Sequence, residues 1–412
     1  MASFIGDGGK NTLVGDTSDD LFKGFGGADH INGGDGIDIA LYGDSPSGVT
    51  VTLAGHAGFG GSAEGDFLVN IEDVSGSPHA DTLIGDGLPN ALTGAGGDDT
   101  LKGGGGADRL FGTTGNDTLK GGGGADHLSG GSGTDTASYR DSPEDVSVYL
   151  YNGTAEDGDA LGDTFNSIEN LEGSGYNDHL HGDGLNNSLF GGNGTDHLYG
   201  RGGADILDGQ AGYDSMYGGE GDDIYYVDNF NEQVYESGSQ GNDEVRVRPW
   251  LDGYNLHEGQ DIEILRTTDD NGTTLAHLGG NSSGNLIIGN DWHNSLSGGG
   301  GHDTLTGNGG SDRFYFNTAL IPANLADITD FVPAEDDIYL QDEIFDAFGP
   351  TIGAEEFVIA AAAQDANDVL VYNDTNGDLF YDADGTGAGA AILFATLDPG
   401  LPLTYQDFYL YN

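Results

Sequence analysis

From Gly76 to Ser138 the chain reads GSPHADTLI, GDGLPNALT, GAGGDDTLK, GGGGADRLF, GTTGNDTLK, GGGGADHLS, GGSGTDTAS: seven nonapeptides in phase, with no residue inserted or lost. Each opens on Gly, carries Asp or Asn at its sixth position and an apolar residue at its eighth. The phase returns from Gly173 with GSGYNDHLH, GDGLNNSLF, GGNGTDHLY, GRGGADILD, GQAGYDSMY and GGEGDDIYY. It returns again from Gly280 with GNSSGNLII, GNDWHNSLS, GGGGHDTLT and GNGGSDRFY, and the first forty residues hold four more, GDGGKNTLV, GDTSDDLFK, GFGGADHIN and GGDGIDIAL. A fixed short period of this kind marks a solenoid, whose units bury their apolar faces only by stacking.

The phase divides the chain. Repeat blocks occupy 1–41, 76–138, 173–226 and 280–315, with interruptions at 42–75, 139–172 and 227–279 and a non-repeating end at 316–412. The first two interruptions align at an offset of 97: Tyr42 with Tyr139, Asp44-Ser45-Pro46 with Asp141-Ser142-Pro143, Ile71-Glu72 with Ile168-Glu169. Each holds two alternating strands around a polar loop, and each is expected to be an enlarged coil with that loop bulging out. The 227–279 segment reads as a non-repeat β insert and carries Arg246, Arg248 and Trp250.

Composition narrows the function. Of 412 residues, 70 are Asp or Glu and only 11 Lys or Arg, a formal charge of −59. Such a chain cannot bind nucleic acid by neutralising phosphates. It has no Cys, which removes disulfides, thiolate metal sites and a Cys nucleophile. No apolar run approaches the length of a membrane span, and MASFIGDGGKNTLVGD lacks the basic-then-apolar plan of a secretory signal peptide. Charge of one sign opposes compaction, so the acids need a folded role. Solvated acids would be scattered; these recur every nine residues.

The pattern G-G-x-G-x-D-x-U-x, with U apolar, resembles the RTX (repeats-in-toxin) family, whose nonapeptides bind Ca²⁺ in a parallel β-helix. The resemblance covers about half the chain. It implies an all-β fold, a right-handed parallel β-roll with Ca²⁺ in its turns, two nonapeptides per coil, closed by a C-terminal β-rich cap. Residues 18 apart then stack on successive coils, about 4.8 Å apart. Leu83, Leu92, Leu101, Leu110, Leu119 and Leu128 become a thin core. Asp81, Asp99, Asp117 and Asp135 fall in one column, with Asn90, Asp108 and Asp126 opposite. Asp178, Asp196 and Asp214 face Asn187, Asp205 and Asp223; Asp20, Asp29, Asp38, Asp303 and Asp312 hold the same place in the outer blocks. Stacked carboxylates repel, and a hard cation with six to eight oxygen ligands resolves this with two carboxylates plus loop carbonyls. Ca²⁺ suits such a cage better than Mg²⁺, which demands a tighter octahedron. Stacked pairs suggest on the order of ten ions. Binding energy is then folding energy.

The family resemblance also implies export. RTX proteins leave the cell unfolded through a type I secretion exporter that reads an uncleaved C-terminal signal, and fold in extracellular calcium. Residues from about Phe316 resemble the end of RTX exoproteins, including serralysin-type proteases, and Asp407-Phe408-Tyr409-Leu410-Tyr411 resembles the exporter-read tail. DVLVYNDTNGDLFYDAD reads as a hairpin turning at Asn376-Gly377; Asp374, Asn376 and Asp378 begin like an EF-hand loop, but Gly is not at the sixth position and the match fails.

Catalytic signals are weak. There is no HExxH. The G-x-S-x-G at Gly280–Gly284 lies inside a repeat rather than at a strand-to-helix elbow. The exposed columns are more distinctive: His179 with His197, and His181 with Tyr199 and Tyr217, are candidates for a surface-binding stripe. The expectation is therefore a secreted, bacterial, calcium-folded and noncatalytic protein that associates with a cell surface, extracellular matrix or polysaccharide. The alternative is an accessory or fragment module of a secreted polysaccharide-active enzyme or protease, or an unrecognised enzyme using the inserted loops.

Overall fold

The computed structural model describes residues 1–236, 241–269, 272 and 274–412. Part of the 227–279 segment thus lies outside the described residues. Two compact units, Met1–Gly218 and Gly219–Asn412, divide the chain. Among the described residues the only helical turns are 3-10 segments at Gly61–Ala63, Leu150–Asn152, Gly158–Ala160 and Tyr405–Asp407.

In the first unit the nonapeptide is half a coil. The end of each repeat forms a strand, and that strand pairs in parallel with the one eighteen residues later: Leu101 with Leu119, Leu92 with Leu110, Leu189 with Leu207. Within each block, odd and even repeats therefore build two separate parallel ladders. The alternation of a β-strand sends the eighth residue inward and its neighbours outward. Leu83, Leu92, Leu101, Leu110, Leu119, Leu128, Ala137, Leu180, Leu189, Leu198, Leu207 and Met216 are all fully buried. Their flanks are half-exposed, as in the outward Thr ladder Thr82, Thr100, Thr118, Thr136. The architecture is that of a parallel β-roll, as the period requires.

The two enlarged coils keep the roll in register. Strand Ile39–Leu41 pairs with Asp73–Ser75 across 34 residues, Thr50–Thr52 with Thr82–Ile84 across 32, and His30–Asn32 with Phe67–Val69 across 37. The second interruption repeats these offsets: Thr136–Ser138 with Asn170–Glu172, Ser147–Tyr149 with His179–His181, His127–Ser129 with Thr164–Asn166. Their loops do not simply bulge outward as expected. Ala63 and Ala160 are fully buried, and a buried phenol pins each loop: Tyr42 donates to Asp66 at 3.2 Å, Tyr139 to Asp163 at 2.7 Å. Burying the aromatic ring carries the loop back onto the coil.

In the second unit the insert lengthens the coil instead of breaking it. Strand Ile224–Val227 pairs in parallel with Glu244–Val247, and that with Ile264–Thr267, each across 20 residues. The cap ends the unit with the expected hairpin, Leu370–Asn373 antiparallel to Asp378–Tyr381, with Gly377 at φ 86° in its turn. Asn376 and Asp378 bond to each other there at 2.7 Å, as in a plain turn. A third strand, Ile392–Thr396, extends the hairpin. The terminal strand Phe408–Tyr411 pairs in parallel with Asp337–Gln341.

Candidate metal centre

The sixth residue of each repeat stands where the loop ends and the strand begins, and the stack locks one of its oxygens. The Asp81 N–H donates to Asp99 Oδ1, Asp99 N–H to Asp117 Oδ1, and Asp117 N–H to Asp135 Oδ1, each at 2.8 Å. The opposite column repeats the pattern from Asn90 to Asp108 at 2.8 Å and from Asp108 to Asp126 at 2.7 Å. So do Asp178 to Asp196, Asp196 to Asp214 and Asn187 to Asp205. In the outer blocks Asp20 donates to Asp38 Oδ1, Asn11 to Asp29 Oδ1, Asn285 to Asp303 Oδ1 and Asn294 to Asp312 Oδ1. Asp223 donates to Asp243 Oδ1 within the second unit. The columns expected from the period are thus present, and their members are buried except Asn11, which is half-buried.

The second oxygen decides what the columns can do. In Asp29, Asp38, Asp99, Asp108, Asp117, Asp126, Asp135 and Asp196, Oδ2 is buried and has no hydrogen-bond partner. It faces the first Gly of its own repeat; a Cβ at Gly94, Gly112 or Gly191 would collide with Oδ2 of Asp99, Asp117 or Asp196. A glycine at position one is therefore required to leave the carboxylate its space.

Burial without a donor penalises the charged form. Loss of water, followed by neighbouring carboxylates, pushes Asp99 up to about 7 and Asp196 to about 8. Desolvation likewise raises Asp108 and Asp117 to about 6, and Asp205, Asp303 and Asp312 to about 7. Asp29, Asp38, Asp126, Asp135 and Asp178 are raised for the same first reason. A row of buried oxygens without donors, backed by glycine-rich carbonyls, fits a hard oxygen-seeking cation. Among the described residues no three carboxylates or imidazoles converge on one point. A cation here would draw on stacked pairs such as Asp99 with Asp117, with backbone carbonyls to complete its shell.

Several column members lie outside the nonapeptide phase. Asp66 and Asp163 accept from Asp29 and Asp126. Glu72 and Glu169 accept from Asp38 and Asp135. Glu263 accepts from Asp243, and Asp336 from Asp312. The only sequence signal for the first four was their duplication at an offset of 97.

The rings of the two expected columns pack on one another, and all but the exposed His179 are half-buried. His181 stacks on Tyr199 at 4.2 Å and Tyr199 on Tyr217 at 4.6 Å, while Tyr149 from the enlarged coil extends the column on the other side of His181 at 4.9 Å. His179 and His197 meet edge-on at 4.9 Å. The stacked rings turn their faces to one another, so the stripe presents edges and hydroxyls. Burial, then the Arg201 charge, pushes His181 down to about 4; burial also lowers His197. Arg201 lies 3.6 Å over the Tyr151 ring beside the stripe.

Comparison with curated proteins gives no match. The hemolysin-type family described as RTX calcium-binding nonapeptide repeat matches residues 5–40, 75–110, 102–137, 164–198, 172–207, 199–231 and 279–317, together half the chain. Those stretches contain the open carboxylate columns. No helix among the described residues is long and apolar enough to cross a membrane. With its period, its parallel register and its buried carboxylates accounted for, the chain belongs to the RTX calcium-binding family, whose repeats are those of secreted proteins.

Proposed function

We propose that this protein is exported unfolded by a type I exporter, folds on extracellular Ca²⁺, and then serves as a noncatalytic scaffold for adhesion to a cell surface or extracellular polysaccharide. The observation that carries the reading is the row of buried Oδ2 atoms without donors, from Asp99 to Asp196. Without a cation, carboxylates in such surroundings oppose folding, so a calcium-poor interior keeps the chain extended. The C-terminal segment supports this order of events. Asp407 is buried, its Oδ2 accepts from Thr404, and Phe408–Tyr411 is paired within the sheet. An exporter could read that tail only before folding.

The Tyr149–His181–Tyr199–Tyr217 stripe supports the surface task, because rigid stacked rings present hydroxyl and ring-edge groups without further ordering cost. A polymer partner of like charge would be bridged by calcium, since −59 repels a polyanion. The test is retention of the calcium-loaded protein on immobilised acidic polysaccharide and on whole cells. Wild type should be held in calcium and released by EDTA. Tyr199→Ala with Tyr217→Ala should elute early with an unchanged calcium-folding midpoint. Failure of wild type to be retained on any of these surfaces overturns the adhesive task.

A further inference from the structure

The nonapeptide loops are of two kinds, and the kind follows a rule of position. In most loops the second residue has positive φ: Gly104 at 105°, Gly122 at 89°, and even Ala95 at 83° and Thr113 at 90°. These loops all end on Asp. The first two loops of each block differ. Their second residue is Asp7 and Asp16, Ser77 and Asp86, Ser174 and Asp183, or Asn281 and Asn290, with none of these at positive φ. There the loop closes on itself. The second residue's N–H donates to the sixth side chain, as Asp86 to Asn90 at 2.9 Å and Asp183 to Asn187 at 2.8 Å; Ser174 and Ser77 donate to Asp178 and Asp81. The second side chain accepts from the fourth residue's N–H, as Asp86 from Leu88 and Asn281 from Ser283. Asn appears at the sixth position only in these loops.

Asn294 shows what replaces the ion. Its Nδ2 lies 2.9 Å from the Asn290 and Trp292 carbonyls, 3.0 Å from the Gly307 carbonyl and 2.9 Å from Asp312 Oδ1. An amide nitrogen sits in a cage of four oxygens drawn from two stacked loops, with the ligand chemistry of a hard cation. Asn90 and Asn187 likewise spend both ends on the protein, donating to the Glu72 and Glu169 carbonyls at 2.8 Å. In the open loops no such donor reaches Oδ2 of Asp99, Asp108 or Asp196.

We propose that the first coil of every block is calcium-independent, protein amides and hydroxyls standing in for the cation, so that Asp20, Asp81, Asp178, Asn90 and Asn187 hydrogen-bond within the coil and to the coil before it and do not coordinate Ca²⁺. The open loops alone take ions, which puts the number below a count of all stacked pairs. This rests on the calcium reading above and narrows it to particular loops.

Native mass spectrometry of the full chain at saturating calcium counts the ions. Asp178→Asn should leave the ion count unchanged, although its amide would meet the N–H groups of Val146 and Ser174 that donate to the carboxylate, so that stability falls. Asp196→Asn, the same change one coil later, should remove at least one ion and raise the midpoint severalfold. Equal ion losses from Asp178→Asn and Asp196→Asn overturn the inference while leaving calcium binding intact. A wild type that binds no ion overturns both.

Discussion

Acid should do part of calcium's work. Asp196 is fully buried and is pushed up to about 8, Asp99 to about 7, and Asp108 and Asp117 to about 6, first by loss of water. In the unfolded chain the same groups titrate near 3.9. The folded coils thus hold more protons than the unfolded chain between about pH 4 and 8. These groups contribute stability that is complete below the unfolded value and lost as pH rises through the folded ones. Going from pH 8 to pH 5, a carboxyl at about 7 gains about two decades, on the order of 2–3 kcal/mol at 1.36 kcal/mol per unit. Neighbours in one column titrate together, which spreads the gain over several steps. Even on the order of 1–2 kcal/mol per Asp exceeds the usual stability per residue many times over. Far-UV circular dichroism in EDTA, stepped from pH 8.5 to 5, should therefore show strand signal appearing between about pH 7 and 5 with no metal present. A signal that stays flat until about pH 4.5, where free carboxyls titrate, would refute the reasoning, because the repeat acids would then be ordinary solvated charge.

Other consequences follow from single contacts. Gly103→Ala should raise the calcium midpoint at least tenfold, since the new Cβ would overlap Asp108 Oδ2; Gly87→Ala, with nothing within 4 Å, should not move it in the same titration. In saturating calcium, urea unfolding of Leu110→Ala should show a loss of about 2–5 kcal/mol, while Leu88→Ala, 61% exposed, should stay within about 0.5 kcal/mol. Tyr139→Phe strands the buried Asp163 carboxyl, now pushed up to about 7 chiefly by desolvation, and should cost about 1–3 kcal/mol in that assay.

The roll was legible because its period is written in glycine, aspartate and leucine at once. Gly at position one clears space for a carboxylate, the sixth residue carries the column, and the eighth fills a core one side chain thick; each of these demands repeats every nine residues. The hairpin at Asn376-Gly377 was legible for a similarly local reason. The enlarged coils were half legible. Their duplication stood out, but the inward fold of the loops depends on Tyr42 reaching Asp66 across 24 residues, and no short-range pattern encodes that pairing. Asp66, Asp163, Glu72 and Glu169 joined the columns unannounced, because an inserted loop breaks the phase that would have marked them. Every closed loop carries Asp, Ser or Asn at position two, but Asn308 stands there at φ 66° in an open one, so the residue type alone did not separate the two kinds. What that choice does appeared only with the backbone angles and the Asn294 amide in its oxygen cage.

The most direct measurement is far-UV circular dichroism of the full chain at pH 7.5, titrated with Ca²⁺ from an EDTA-treated start and repeated with Mg²⁺. The account predicts a mostly disordered spectrum in EDTA, a cooperative rise of strand signal by millimolar Ca²⁺, and no equivalent rise at the same Mg²⁺ concentration. Full strand signal in EDTA at that pH, or an equal response to Mg²⁺, would contradict it.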